Sequence, residues 1–190
     1  MRKAGPDGII QATMRVIADQ GAVGASMRDF AAEAGVTEAA IYRHFTSRDD
    51  LLSHVFRRCA AVLYDYLDRR RQAVPPQSRV GELAVAFFDF ARDHPREYAF
   101  IAAVHQQQLC VLDTRAQRLP KDLFVEAVEE LQRSRGGGVV PATLVAGAII
   151  GLVMGVILFR KSGQARVAVG DCREYLRRTA TCLAAAACGK

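Results

Sequence analysis

Between Ser26 and Leu51 the chain reads SMRDFAAEAGVTEAAIYRHFTSRDDL, and three helix starts crowded into so short a stretch leave few ways to fold it. Ser26 followed by Asp29 forms a capping pair for a helix whose Met27, Phe30, Ala31 and Ala34 share one apolar side. Gly35 suits the left-handed backbone of a helix end, with Val36 tucked beneath the turn. Thr37 caps a second helix through Glu38 to His44, in which Ile41 and Phe45 point one way and Ala39 and Arg43 the other. Ser47 with Asp50 restarts a third helix that carries Leu51, Leu52, Val55 and Phe56 inward. The pattern is helix, turn, helix, then a longer helix.

The outward side of the middle helix combines small residues with a cation and a phenol. Ala39 and Ala40 allow close approach to base edges and contact with a thymine methyl, and Arg43 can pair bidentately with guanine. Tyr42, His44 and Arg48 suit phosphate oxygens, which set register and supply salt-dependent affinity without reading bases. Any one of these residues also fits a solvated helical face. Together with three linked caps and the glycine turn, they indicate a DNA-reading unit.

With those residues in view, the segment resembles the DNA-binding domain of the TetR/AcrR family of bacterial transcriptional regulators. The resemblance covers about the first quarter of the chain and rests on AAEAGVTEAAIYRHFTSRDDLL and the helix before it. Residue by residue it implies DNA contacts from Arg28, from Thr37, Glu38, Ala39, Ala40, Tyr42, Arg43 and His44 at the recognition helix, and from Arg48 at the next helix start. Ala39 stands where the family commonly has glycine, Arg48 where it has lysine and Asp49 where it has glutamate. The last two keep their charge, whereas Ala39 bears on how deeply the helix seats.

The remainder reads as all-helical. At 190 residues, 51% hydrophobic and 24% charged, the chain can bury a real core, and runs of alternating polar and apolar residues are scarce. Net charge is +6, yet the first 48 residues balance six cations against five carboxylates, so bulk charge does not locate a DNA site. A first helix from Asp7 to Gln20 ends at Gly21 and completes a three-helix unit. The helix begun at Ser47 runs to Arg69, Arg70 and Arg71, cations favoured at a helix C-terminus, and meets Val74-Pro75-Pro76. Further helices are expected over Arg79 to Asp93, from Pro95 onward, and over Lys121 to Ser134. The expected organisation is an N-terminal helix-turn-helix DNA-binding domain over 1–48 and a helical ligand-binding and dimerisation domain over 49–190.

Val139 to Phe159 is an uninterrupted apolar run with glycines at 147, 151 and 155. Its length permits a membrane span, and a helix apolar all round equally suits a core or an oligomer interface. A single such segment, begun by Pro141, favours the buried interface and no membrane. Asp171 with Glu174 is expected to cap the final helix. The resemblance implies that residues 141–159 and 171–187 pair with their symmetry mates in a homodimer, which would favour a palindromic operator.

The resemblance further implies a small-molecule pocket in the second domain. Phe87, Phe90, Tyr98, Phe100, Phe124 and Phe159 are candidates to line it, with His105, Gln106 or Gln108 as polar anchors, although each aromatic also suits the core. The effector is unknown. The cysteines at 59, 110, 172, 182 and 188 form no C-x-x-C pair, which points to a reducing cytoplasm and to no metal site or cofactor. The expected function is a dimeric repressor, not an enzyme, released from its operator by a small molecule. The competing readings are a small thiol-dependent hydrolase using a cysteine with His105, and a membrane-anchored regulator using 139–159. No phosphate loop, nucleophile elbow or carboxylate pair supports the hydrolase.

Overall fold

The computed structural model describes residues 5–21, 24–107, 118–164 and 166–189, with backbone alone described at 104–107. Among them the chain forms nine α-helices and one short 3-10 turn. These are α1 (Pro6–Gln20), α2 (Met27–Ala34), α3 (Glu38–Tyr42), α4 (Arg48–Gln72), α5 (Arg79–Asp93), α6 (Pro95–Gln107), α7 (Pro120–Ser134), α8 (Ala142–Lys161) and α9 (Val169–Ala186). The all-helical expectation holds, and α5 begins and ends on the residues its apolar spacing predicts.

Two compact units share α4. One comprises residues 1–62 with 94–117, the other 63–93 with 118–190. The expected 48/49 boundary falls inside the first of these units. Because α4 is one unbroken helix, no loop separates the motif from the next stretch of chain, and α6 returns to pack on α1.

In the first unit, Ile9, Met14, Phe30, Ile41, Leu51, Leu52, Val55 and Phe100 are fully or almost fully buried. Each such side chain contributes roughly 1.5–3 kcal/mol by leaving water. The three-helix arrangement is further tied by ion pairs from Arg15 to Glu33 at 2.6 Å and from Arg58 to Asp7 at 2.7 Å.

The second unit is built around α5, whose residues 83–91 are all buried. Phe87 meets Phe124 of α7 edge-on at 6.4 Å between ring centres, and Tyr66 of α4 meets Phe90 at 5.5 Å. Gly81 allows α5 to lie close against α9, since a Cβ there would stand 2.8 Å from the Thr181 hydroxyl and 3.0 Å from the Arg177 carbonyl. The buried Asp89 carboxylate accepts from Arg173 Nε at 2.8 Å and from Arg70 Nη1 at 3.4 Å. Arg70 also donates to Glu82 at 2.7 Å. One buried acid therefore links α4, α5 and α9, an arrangement that stabilises only when its partners are in place.

Two sequence expectations change. The final helix starts at Val169 with Ala168 at its cap and no side-chain cap bond, so Asp171 lies inside the first turn and does not cap it. There its charge complements the helix dipole. The recognition helix is also shorter than the expected stretch to His44. It ends at Tyr42, and His44 N–H closes a tight turn onto the Ile41 carbonyl at 2.9 Å.

Candidate nucleic-acid interface

Each end of the helix-turn-helix segment is held by the residues that the sequence nominates. Ser26 and Asp29 form a reciprocal capping box: Asp29 N–H donates to Ser26 Oγ at 3.3 Å, and Ser26 N–H donates to Asp29 Oδ2 at 2.8 Å. The Ser26 hydroxyl also donates to Asp29 Oδ2 at 2.6 Å. These bonds, the hydroxyl's foremost, hold the Asp29 carboxyl below its ordinary value. Gly35 adopts φ +65°, and Val36 N–H reaches the Ala31 carbonyl at 3.0 Å, which turns the chain sharply toward Thr37.

Thr37 Oγ1 accepts from Ala40 N–H at 3.2 Å and starts α3. The next start is reinforced beyond the expected Ser47 cap. Ser47 Oγ accepts from Asp50 N–H at 3.0 Å, and Asp50 in turn accepts from Thr46 N–H at 2.8 Å. The Thr46 backbone bond is the main cause of the lowered Asp50 pKa. Thr46 is a contributor that the capping pattern alone did not single out.

With both ends fixed, Ile41 and Phe45 at 0% and 2% exposure seat α3 on the core and decide which side looks outward. Thr37, Glu38, Ala39, Tyr42, Arg43 and His44 are exposed and Ala40 is half-buried, while Arg28 is exposed on α2. Tyr42 is 51% exposed despite its large ring. Arg48 is only partly exposed and donates from Nη2 to the Ala25 carbonyl at 3.3 Å, so it also braces the chain entering α2. The structure thus brings all nine nominated residues into the α2–α4 region, seven of them exposed and two, Ala40 and Arg48, half-buried.

The nominated ligand residues are dispersed. Phe87, Phe90 and Phe124 are core residues of the second unit, and Tyr98 and Phe100 are buried in the first. Burial pushes the Tyr98 hydroxyl up to about 12. Phe159 is 54% exposed and borders an open groove of about 540 Å³ between α8 and α9, beside Leu152, Val156 and Tyr175. The His105 side chain and Gln108 lie outside the described residues, as does Cys110. Cys59 is a poor candidate nucleophile: burial raises its thiol to about 12, and its Sγ lies 3.3 Å from Met14 Sδ. No group of three or more metal-binding side chains occurs among the described residues.

A capped helix-turn-helix carried by an otherwise helical chain is the architecture of a helical protein with an N-terminal helix-turn-helix segment. Residues 9–55 match the family described as bacterial regulatory proteins, tetR family. The HTH-type transcriptional regulator Rv1816 of Mycobacterium tuberculosis is 36% identical over 63 residues, which span 33% of this chain and 27% of that relative. The similarity to that curated relative thus covers about a quarter of its length. Over nearly the whole chain, the fold is similar to a TetR family transcription regulator from Marinobacter aquaeolei VT8 (TM-score 0.75, 14% identity, 94% of each chain). It is also similar to AibR in complex with isovaleryl coenzyme A and operator DNA (TM-score 0.69, 20% identity, 90% of this chain and 95% of that one). The N-terminal segment therefore matches the tetR family, and the chain as a whole shares the fold of solved TetR family regulators.

Proposed function

We propose that this protein is a homodimeric transcriptional repressor of the bacterial cytoplasm, which binds a palindromic operator and is released by a small-molecule effector. The observation that carries this reading is the exposed row Ala39 and Tyr42 on a short helix capped at its start, continued by Arg43 and His44 in the turn that follows and anchored by Ile41 and Phe45. In this reading Arg43 pairs with a guanine, Ala39 and Ala40 permit close approach, and Tyr42, His44, Arg28 and Thr37 hold phosphates. Glu38 is repelled by phosphate and suited to accept from a cytosine amino group. The functional domains remain 1–48 for DNA and 49–190 for effector and dimer.

The dimer proposal draws on α8 and α9. Leu144, Leu158 and Phe159 are 65%, 57% and 54% exposed, and among the described residues nothing beyond the helix's own adjacent backbone lies within 4 Å of where a Cβ would stand on Gly147, Gly151 or Gly155. Helix α8 is long and apolar enough to cross a membrane, and only 28% of its most apolar stretch is buried within one chain. A second copy over 141–159 and 171–187 would cover this surface and set two recognition helices on one side of the DNA. An effector site alongside the DNA site gains support from AibR, known in complex with isovaleryl coenzyme A and operator DNA.

Selection of genomic fragments bound by the purified protein should return a palindromic site. Tyr42→Ala and Arg43→Ala should then lose affinity for that site by roughly tenfold or more each while the dimer persists. Unchanged binding by both variants would overturn the recognition-helix assignment.

A further inference from the structure

The second unit contains a concavity of about 230 Å³ at the C-terminal ends of α5 and α8 and the first residue of α9. Phe88, Ala91 and Ile157 give it an apolar floor, at 6%, 5% and 4% exposure, and Val169 forms one wall. Its remaining lining is Arg92, Arg160 and Lys161, three cations and no carboxylate. We propose that this pocket binds a small organic acid with a compact apolar body, its carboxylate held by the three cations and its hydrocarbon laid on Phe88, Ala91 and Ile157.

Helix dipoles by themselves explain a cation at each helix end, since Arg92 closes α5 and Arg160 and Lys161 close α8. They do not explain why these cations converge on one apolar hollow, where like charges repel. Arg92 is partly neutralised by Asp93 at 2.9 Å and by Asp89 at 3.8 Å. Arg160 donates instead to the Val167 backbone carbonyl and lies 3.9 Å from Cys172 Sγ. Burial lowers the Lys161 pKa, and an anion held alongside it would raise it again. Val169 opens α9, whose start has no side-chain cap, and the helix dipole there favours negative charge, as Asp171 in the same turn illustrates. The floor selects against inorganic anions, which gain nothing from apolar contact, and the cations select against neutral hydrocarbons.

Binding can be measured without DNA, so this proposal stands apart from the operator reading; only its identification as the effector site rests on that reading. Calorimetry on the full chain should show saturable binding of octanoate and much weaker binding of octanol and of inorganic phosphate. Arg92→Gln and Lys161→Gln should each weaken octanoate by about tenfold, the loss of one charge-assisted hydrogen bond. Val169→Asp places a carboxylate where the α9 dipole favours it, so the helix is kept while an incoming anion is repelled, and octanoate binding should vanish. Three results would each overturn the proposal: no saturable octanoate binding, equal binding of octanol or phosphate, or unchanged affinity in the folded Val169→Asp variant. If octanoate binds as proposed, adding it to the protein–operator complex then tests the effector role separately.

Discussion

The unit built on α1–α3 and the pair α8–α9 finish their surfaces in opposite ways. In the first, short helices carry caps at their starts and bury their large apolar residues, leaving Tyr42 as the exposed large ring of α3. In the second, long helices leave Leu144, Leu158, Phe159, Tyr175 and Leu183 exposed on their own chain. The difference teaches that local capping can complete a small helical motif, whereas a long apolar helix is completed only by a neighbour. A motif that meets DNA must hold its shape before binding, and a dimer surface need not be covered until its partner arrives.

The hardest test of the self-contained side of this contrast is Phe30→Ala. Phe30 is fully buried, so its truncation should cost about 3–5 kcal/mol in chemical denaturation and abolish DNA binding at ordinary temperature. A loss below about 1 kcal/mol would show that the motif relies on something other than its core. Asp89→Ala should cost about 3 kcal/mol, because it takes a buried carboxylate partner from Arg173 and one of two carboxylate partners from Arg70. The lower end of the range applies since both arginines keep about a third of their exposure. Asp89→Asn should recover part of that loss by preserving an acceptor.

The incomplete surface of α8 is tested by Leu144→Asp. The wild-type melting temperature should rise with protein concentration, as dimerisation coupled to stability requires, while Leu144→Asp should sediment as a monomer with a concentration-independent melt. A dimeric Leu144→Asp protein would place the interface elsewhere. The smallest effect is expected at the first cap. Ser26→Ala should destabilise by about 1 kcal/mol. Asp29 has its pKa lowered by folding, so its contribution is full above the ordinary value of 3.8 and fades as pH falls through the folded-state value. An acid titration of helical content should therefore show wild type and Ser26→Ala converging at low pH, and a constant gap between them would remove Asp29 from the cap.

The motif was legible because its determinants are near neighbours in sequence. Ser26 with Asp29, Gly35, Thr37, and Ser47 with Asp50 act over one helical turn, where spacing and residue type nearly suffice. Misreadings occurred where local chemistry allowed more than one answer. Asp171 and Glu174 have capping spacing, but Val169 and Gly170 continue the helix upstream of them. The aromatic candidates for a ligand pocket include Phe87 and Phe124, which pack edge-on against each other, a choice between lining and filling that composition cannot make.

The sequence by itself determined the helical class, most helix limits and the outward row of α3, since each depends on periodicity and caps within a few residues. Only the tertiary structure decided that Asp89 would gather Arg70 and Arg173, that Gly81 would admit α9, and that α6 would pack on α1. It also decided that Arg92, Arg160 and Lys161 would meet around one apolar hollow. The physical reason is range: a cap closes through one turn of backbone, whereas a buried charge or a pocket is made by side chains tens of residues apart, brought together only when the helices pack.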